Sequence, residues 1–288
     1  MVKDSNYIKF IDEALELTKE IPRYFSKFSN KIFCNHQKIV LLVLKQKLRT
    51  TYRDLVELLK ISHIPLLIGL KRIPHHTTLV KFAKKIKPKL LNLLLPYRKA
   101  KIIALDGTGF EVGNKSIHYR LVTDQGKIYR RYVKLGISAD TNKQIILKNT
   151  INKGPRNDNK DFMSLIKDIK TSCVTADKGY DADKHHSYVI RDLKAKSLIC
   201  VRNNISRKSR NTLRKRVANN FDDKLYHQRS KVESIFSSLK RKYGSCLKAR
   251  SFYAQKKEII CKLIAYNIDR KITLFYLFII GFQQSPFF

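Results

Sequence analysis

Three short apolar runs constrain what the middle of this chain can fold into: KIIALD (101–106), TSCVTAD (171–177) and SLICV (197–201). Each is too short for a buried helix and is bounded by polar residues, the pattern of a buried strand. Between them lie NDNKDFMSLIKDI (157–169), capped by Asn157 or Asp158, and DADKHHSYVIRDLK (181–194), both of which read as helices. The stretch 116–151 alternates, with turn signals at Asp124–Gly126 and Asp140–Asn142, so an antiparallel meander directly follows the first strand. Three strands, a helix, a strand, a helix, a strand and a closing helix make an α/β layout with a mixed sheet.

Before residue 100 the period is helical. KIVLLVLKQKL (38–48) and TYRDLVELLKI (51–61) are followed by a turn around His63–Pro65. A third helix follows in IPHHTTLVKFAKKIK (73–87), with start signals at Pro74 and at Thr77 or Thr78, and it carries Lys81, Lys84 and Lys85. Two short helices, a break and a basic third helix suit a helix-turn-helix that meets DNA through those lysines, although any small helical bundle shares the pattern. The expected organisation is an all-helical domain over 1–99, a catalytic domain over 100–271 and an apolar tail over 272–288.

Charge narrows the partners. The chain has 60 Lys and Arg against 23 Asp and Glu, a formal net charge of +37. Such an excess repels itself unless a polyanion neutralises it, which puts nucleic acid first and an anionic membrane surface second. With 43% apolar residues the chain folds rather than staying disordered. The opening MVKDSNYIKFIDEAL has no apolar leader, and the five scattered cysteines suit a reducing cytoplasm rather than a disulfide framework. Cys34 with His36, His75 with His76 and His185 with His186 lack a second pair at zinc spacing. ITLFYLFIIGF (272–282) falls short of the roughly 20 residues of a spanning helix and reads as a terminal element docking on the core.

One acid stands out against this background. Glu233 is the only carboxylate between Asp223 and Glu258, among ten Lys and Arg. On a continuous helix Tyr226, Arg229, Glu233 and Lys240 share a face, beside an apolar stripe of Val232, Ile235, Phe236 and Leu239. A lone Glu in that setting is ordinarily an i,i+4 ion pair with Arg229. Asp106 and Asp177 change that reading, because each ends a short apolar strand, and ligands gather at strand ends in α/β sheets. Three clustered carboxylates repel one another unless a hard cation joins them, and Mg²⁺ (with Mn²⁺ able to substitute) prefers such oxygens. Two ions can activate the attacking oxygen and stabilise the leaving oxygen of a phosphoryl transfer. Basic RNNISRKSRNTLRKR (202–216), with Arg202, Arg207, Lys208 and Arg210, then reads as a clamp on phosphates. The other acids have structural explanations: Asp124 and Asp140 in turns, Asp158 as a helix cap, Asp181 or Asp183 as the next cap. Asp158 is the exception most expected near the site.

These residues resemble the DDE transposases of bacterial and archaeal insertion sequences, in the branch whose third motif reads Y-x-x-R-x-x-x-E-x-x-x-x-x-x-K. Tyr226, Arg229, Glu233 and Lys240 match all four positions, while DGTGF (106–110) and ADKGYDAD (176–183) match the first two motifs. The resemblance runs from about residue 40 to 270. It implies a ribonuclease-H-like core in which Asp106, Asp177 and Glu233 hold metal. It also implies that Tyr226, Arg229 and Lys240, together with Lys178 and Tyr180, face DNA or orient the catalytic Glu. A dimer or larger synapse would hold two element ends and join a freed 3′-hydroxyl to target double-stranded DNA, in a cytoplasmic, nucleoid-associated protein without a membrane partner. The insertion before the catalytic helix (202–225) is short for the group, and the tail has no counterpart in it. Two rivals remain open: a catalytically inactive DNA-binding descendant, and a metal-dependent nuclease without strand joining.

Overall fold

The computed structural model describes residues 5–95, 98–113, 132–202 and 213–284. The chain forms two compact units: Met1–Leu95 with Arg241–Gly244 and Ala249–Phe288, and Pro96–Lys240 with Ser245–Lys248.

The first unit is helical: α1 (Asn6–Thr18), α2 (Asn35–Lys47), α3 (Tyr52–Lys60), α4 (Ile64–Ile68), α5 (His76–Lys85), α6 (Pro88–Asn92) and a final helix, Phe252–Gln284. Reciprocal capping starts α3, with Thr51 accepting from the Asp54 amide and Asp54 accepting from the Thr51 amide. Gly69 at φ +69° closes α4 in the left-handed region that glycine tolerates. On α5, Leu79 and Phe82 are buried while Lys81, Lys84 and Lys85 are exposed. The last helix packs on α1, α2 and α6 and buries Ile259, Ile260, Leu263, Ile264 and Ile268.

That packing bears on two expectations. The segment 249–271, expected in the catalytic domain, packs with the amino-terminal helices, a pairing that chain order conceals. The tail is no separate element either, since one helix runs from Phe252 to Gln284. Nor is it docked throughout: Phe275, Leu277 and Phe278 are each more than half exposed. Among the described residues no helix is long and apolar enough to cross a membrane.

The second unit holds the sheet: β1 (Ile102–Val112), β2 (Tyr132–Asp140), β3 (Ile145–Lys153), β4 (Cys173–Ala176), β5 (Lys196–Ile199) and β6 (Cys246–Leu247). Its order is β3-β2-β1-β4-β5, with β6 on β1. The first three strands are antiparallel, while β4 and β6 run parallel to β1 and β5 parallel to β4. This is the ribonuclease-H-like mixed sheet that the resemblance implied. α7 (Phe162–Ile166), α8 (Asp183–Ser187), α9 (Leu213–Asn219), α10 (Asp223–Tyr226) and α11 (Ser230–Tyr243), the last as far as Lys240, complete the unit. Phe162, Leu165 and Ile166 of α7 pack with Ile103, Leu105, Val174, Ala176 and Ile199 of the strands into one buried cluster.

The helical segments here are shorter than expected. A 3₁₀ turn at Asp158–Lys160 precedes α7, and its cap is Asn157, whose side chain accepts from the Asn159 amide. Asp158 therefore caps nothing. A second departure concerns Asp106, which does not end its strand: β1 continues for six residues beyond it, through Val112. What ends there is the neighbour. β4 pairs with β1 only as far as Leu105↔Ala176, and β6 joins β1 only at Glu111. The edge of β1 from Asp106 to Phe110 faces a notch in the sheet.

Candidate functional site

The notch positions the acids. Asp106 lies just past the last β1–β4 pair, and Asp177 follows the last residue of β4, so the two acids leave neighbouring strands at the same level. Adjacent strands are about 4.8 Å apart, which puts two carboxyl-bearing residues side by side. The third acid arrives from the far end of the sequence. A 3₁₀ turn, His227–Arg229, packs against β1 and β4 and leads directly into α11. That helix buries Val232, Ile235, Phe236 and Leu239, as the apolar stripe required, and leaves Glu233 57% exposed.

Arg229 ties the set together. Its guanidinium donates to Asp106 Oδ2 at 3.3 Å and to Glu233 Oε1 at 2.7 Å. The third-motif tyrosine, Tyr226, lies near enough for the charges of Arg229 and Asp177 to act on its hydroxyl. Tyr226, Arg229 and Glu233 do not lie on one continuous helix face as expected, because the 3₁₀ turn separates α10 from α11. Arg229 instead reaches forward across the junction. Lys240 sits two turns further along α11, its ammonium 5.8 Å from the centroid of Phe110 on β1.

Electrostatics reports the same proximity. Burial pushes the Asp106 carboxyl up, and the negative charges of Asp177 and Glu233 push it further, against the Gly107 amide and Arg229, which lower it. The net direction is upward, so Asp106 is a carboxylate held at a cost. A divalent cation relieves that cost, and the chemistry of the three donors fits a hard metal. As they stand, no three His, Cys, Asp or Glu among the described residues enclose an ion. The Arg229 guanidinium is between Asp106 and Glu233.

Two glycines of the motifs have a steric reason. A Cβ on Gly107 would lie 3.1 Å from Asp158 Oδ1, and one on Gly179 would lie 3.3 Å from Asp158 Oδ2. Asp158 is therefore wedged beside the residues that follow both aspartates, Gly107 in β1 and Gly179 in a 3₁₀ turn, and Lys134 of β2 pairs with it at 2.6 Å. That is the exception expected near the site, reached through packing.

Other expected residues fall differently. Lys178 is exposed, immediately after Asp177, and exposed Arg202 donates to the Lys178 carbonyl at 2.9 Å. Tyr180 is 1% exposed, its ring 6.0 Å from that of Phe162, so it faces the core and cannot present itself to DNA. The apolar wall behind the second motif required a large side chain there. Arg207, Lys208 and Arg210, like Asp124, lie outside the described residues. Lys81, Lys84 and Lys85 belong to the helical unit. Asp140 accepts from the Asn142 and Lys143 amides, a turn role. Neither Asp181 nor Asp183 is the cap of α8, a position held by Ala182. Asp181 is instead the centre of a buried network, ion-paired with Arg214 and within hydrogen-bond reach of His186. Sequence reasoning missed Arg214, whose only signal was its place in the basic run.

Residues 97–268 match the family model described as the transposase DDE domain. The solved structure of a piggyBac transposase synaptic complex with hairpin DNA is similar at 13% identity and a TM-score of 0.43, over 99% of this chain and 80% of that one. No curated protein matches the chain.

Proposed function

Because this chain belongs to the family of transposase DDE domains, we propose that it is a transposase that binds the terminal inverted repeats of its insertion sequence, cuts the DNA there and joins the freed end to target DNA. What supports this reading is that Asp106 and Asp177 stand at the same level on neighbouring strands, while Arg229 bonds both Asp106 and Glu233. The family generally uses a divalent metal. Here Mg²⁺, or Mn²⁺ in its place, would be held by Asp106, Asp177 and Glu233, and would supply charge neutralisation and nucleophile activation for in-line phosphoryl transfer.

The rest of the work falls to the chain itself. Asp106 is held in position by its strand and by the Gly107 amide, which donates to its Oδ1 at 2.8 Å. Arg229 has to give up at least one of its two carboxylates for the three acids to close on a cation, and a DNA phosphate is the natural new partner for its planar fork. Lys178, Arg202, Tyr226 and Lys240 would hold the backbone near the scissile bond, and Arg207, Lys208 and Arg210 would extend that clamp. The exposed lysines of α5, namely Lys81, Lys84 and Lys85, would take the element end, with the amino-terminal helices as the end-binding module. Two ends require two catalytic centres, hence a homodimer or larger synapse, working at the nucleoid in the cytoplasm.

The test uses purified chain with duplexes carrying the element's ends. Nicking that depends on Mg²⁺ or Mn²⁺ and is lost in Asp106→Asn is the expected result, and pre-cleaved ends should be joined to target plasmid. Cutting without joining would identify a nuclease. Tight binding without metal-dependent cutting would identify an inactive descendant. Either result overturns the transposase reading.

A further inference from the structure

Asp181 lies four residues beyond Asp177 and is fully buried, with none of its side chain exposed to solvent. Its two oxygens are saturated. Oδ1 accepts from Arg214 Nε at 2.9 Å and lies 3.2 Å from His186 Nε2; Oδ2 accepts from the Arg202 amide at 3.0 Å and from the Arg214 terminal nitrogen. His186 is itself fixed through Nδ1, 3.0 Å from Ser197 Oγ on β5. Burial alone would push the Asp181 carboxyl up, but Arg214, the Arg202 amide and His186 together hold it below its ordinary range. A buried ion pair is a poor way to stabilise a core, because a well-packed apolar pair does as well or better. Its geometric specificity calls for another explanation.

That explanation lies in what the network holds. Arg214 is on α9, where Val217 is buried, and the inward turn of Arg214 leaves Lys215 and Arg216 exposed. Successive helical residues are 100° apart, so the two side chains following Arg214 leave the helix on other faces. On the opposite flank, Asp181 pins the backbone of Arg202, and the Arg202 side chain then donates to the Lys178 carbonyl, one residue from Asp177. One buried carboxylate thus fixes two separate stretches of chain that carry Arg202, Lys215 and Arg216 to the motif that carries Lys178.

We propose that Asp181 is a positioning residue that seats a cationic surface of Lys178, Arg202, Lys215 and Arg216, and that this surface takes the phosphate backbone of the DNA flanking the scissile bond. The proposal rests on the transposase reading above and adds to it the anchor, and two phosphate contacts outside the motifs. Because each phosphate neutralised by a cation adds about 0.9 to the slope of log K against log salt, the surface leaves a countable signature.

The experiment measures binding of a fluorescein-labelled duplex carrying the element's end, across a salt series, for the wild type, Asp181→Asn and the double variant Lys215→Ala/Arg216→Ala. The double variant alters only exposed side chains and should fold normally; its slope is expected to fall by about 1.8. Asp181→Asn is expected to lower the slope by at least as much and to raise KM for end DNA at least tenfold, more than it lowers kcat. A merely structural network would lower the melting temperature and leave slope and KM alone. If Asp181→Asn fails to fold, the double variant decides. An unchanged slope in the double variant, or in folded Asp181→Asn, overturns the proposal while wild-type cleavage still supports the transposase reading. A wild type that neither binds nor cuts the duplex overturns both.

Discussion

Glu233→Gln separates the catalytic from the structural reading of the lone acid. Structurally, Glu233 is 57% exposed and makes an i,i+4 contact to Arg229 at 2.7 Å. Such a pair contributes about 0.3–0.5 kcal/mol. For a chain of this size, a loss that small shifts Tm by about 1–2 °C. Arg229 keeps its Asp106 partner at 3.3 Å, so no buried charge is stranded. Under the proposed function, the same substitution would remove one anionic ligand from a centre whose metals would contribute several kcal/mol to the transition state. With about 1.36 kcal/mol per factor of ten, nicking in Mg²⁺ should fall by roughly 10²–10³. Binding of end DNA should hold or tighten slightly, because a negative charge has left a surface that meets a polyanion. Gel-based nicking at matched protein and DNA, with differential scanning fluorimetry on the same preparation, reads all three quantities. The reasoning is refuted by a variant that nicks at more than a tenth of the wild-type rate, or by a Tm fall of many degrees, which would make Glu233 a structural residue.

Three further outcomes follow from the packing. Gly107→Ala places a Cβ 3.1 Å from Asp158 Oδ1, so the neighbours must give by a few tenths of an ångström beside Asp106. Nicking is expected to drop about tenfold, since an ångström-scale misplacement costs about a hundredfold, and undiminished activity would show that the Asp158 wedge does not constrain the site. Phe162→Ala empties a fully buried position whose ring stacks on His185 at 4.0 Å; a cost of about 3–5 kcal/mol and a Tm fall of roughly 6–20 °C should appear in thermal melts. Burial holds both His185 and His186 below the ordinary histidine range, against partners that raise them. Their stabilising contribution is therefore complete above the unfolded value of about 6.5 and is lost as pH falls below it, because the unfolded chain takes up protons first. Each histidine contributes a slope of up to about 1.4 kcal/mol per pH unit, so His185→Phe should roughly halve the acid-side decline of stability measured by denaturant titration at successive pH values.

Much of the second unit was legible in the sequence because local pattern and burial agree there. KIIALD, TSCVTAD and SLICV are strands, and Val232, Ile235, Phe236 and Leu239 face the core, because runs and stripes of this kind have one way to bury themselves. Chemistry narrowed the acids, since a carboxylate beside a buried run needs a reason. What stayed hidden depends on the partner of an element rather than on the element. Asp106 reads as a strand end, yet β1 runs on to Val112; the discontinuity belongs to β4, which stops at Ala176. The last helix follows the third motif in chain order, and its own pattern does not say that its apolar face packs on α1, α2 and α6. Tyr180 looks like a DNA contact by motif but fills a core position behind it.

Asp181 shows the limit most sharply, and it also explains how so basic a chain keeps acids near its site. An acid two residues before the start of a short helix reads as a cap, because a cap is the commonest local use of Asp there. Its partners Arg202 and Arg214 come from other segments, so no short window along the sequence contains the network. The same is true of Asp158 with Lys134 and of Asp106 with Arg229. Asp106, Asp158 and Asp181 at this end of the sheet are each held by a cation distant in sequence. In a protein with a net charge of +37 the cations are abundant and the acids are scarce. The position of each acid therefore determines which basic segments are held in place and which remain available to a phosphate backbone.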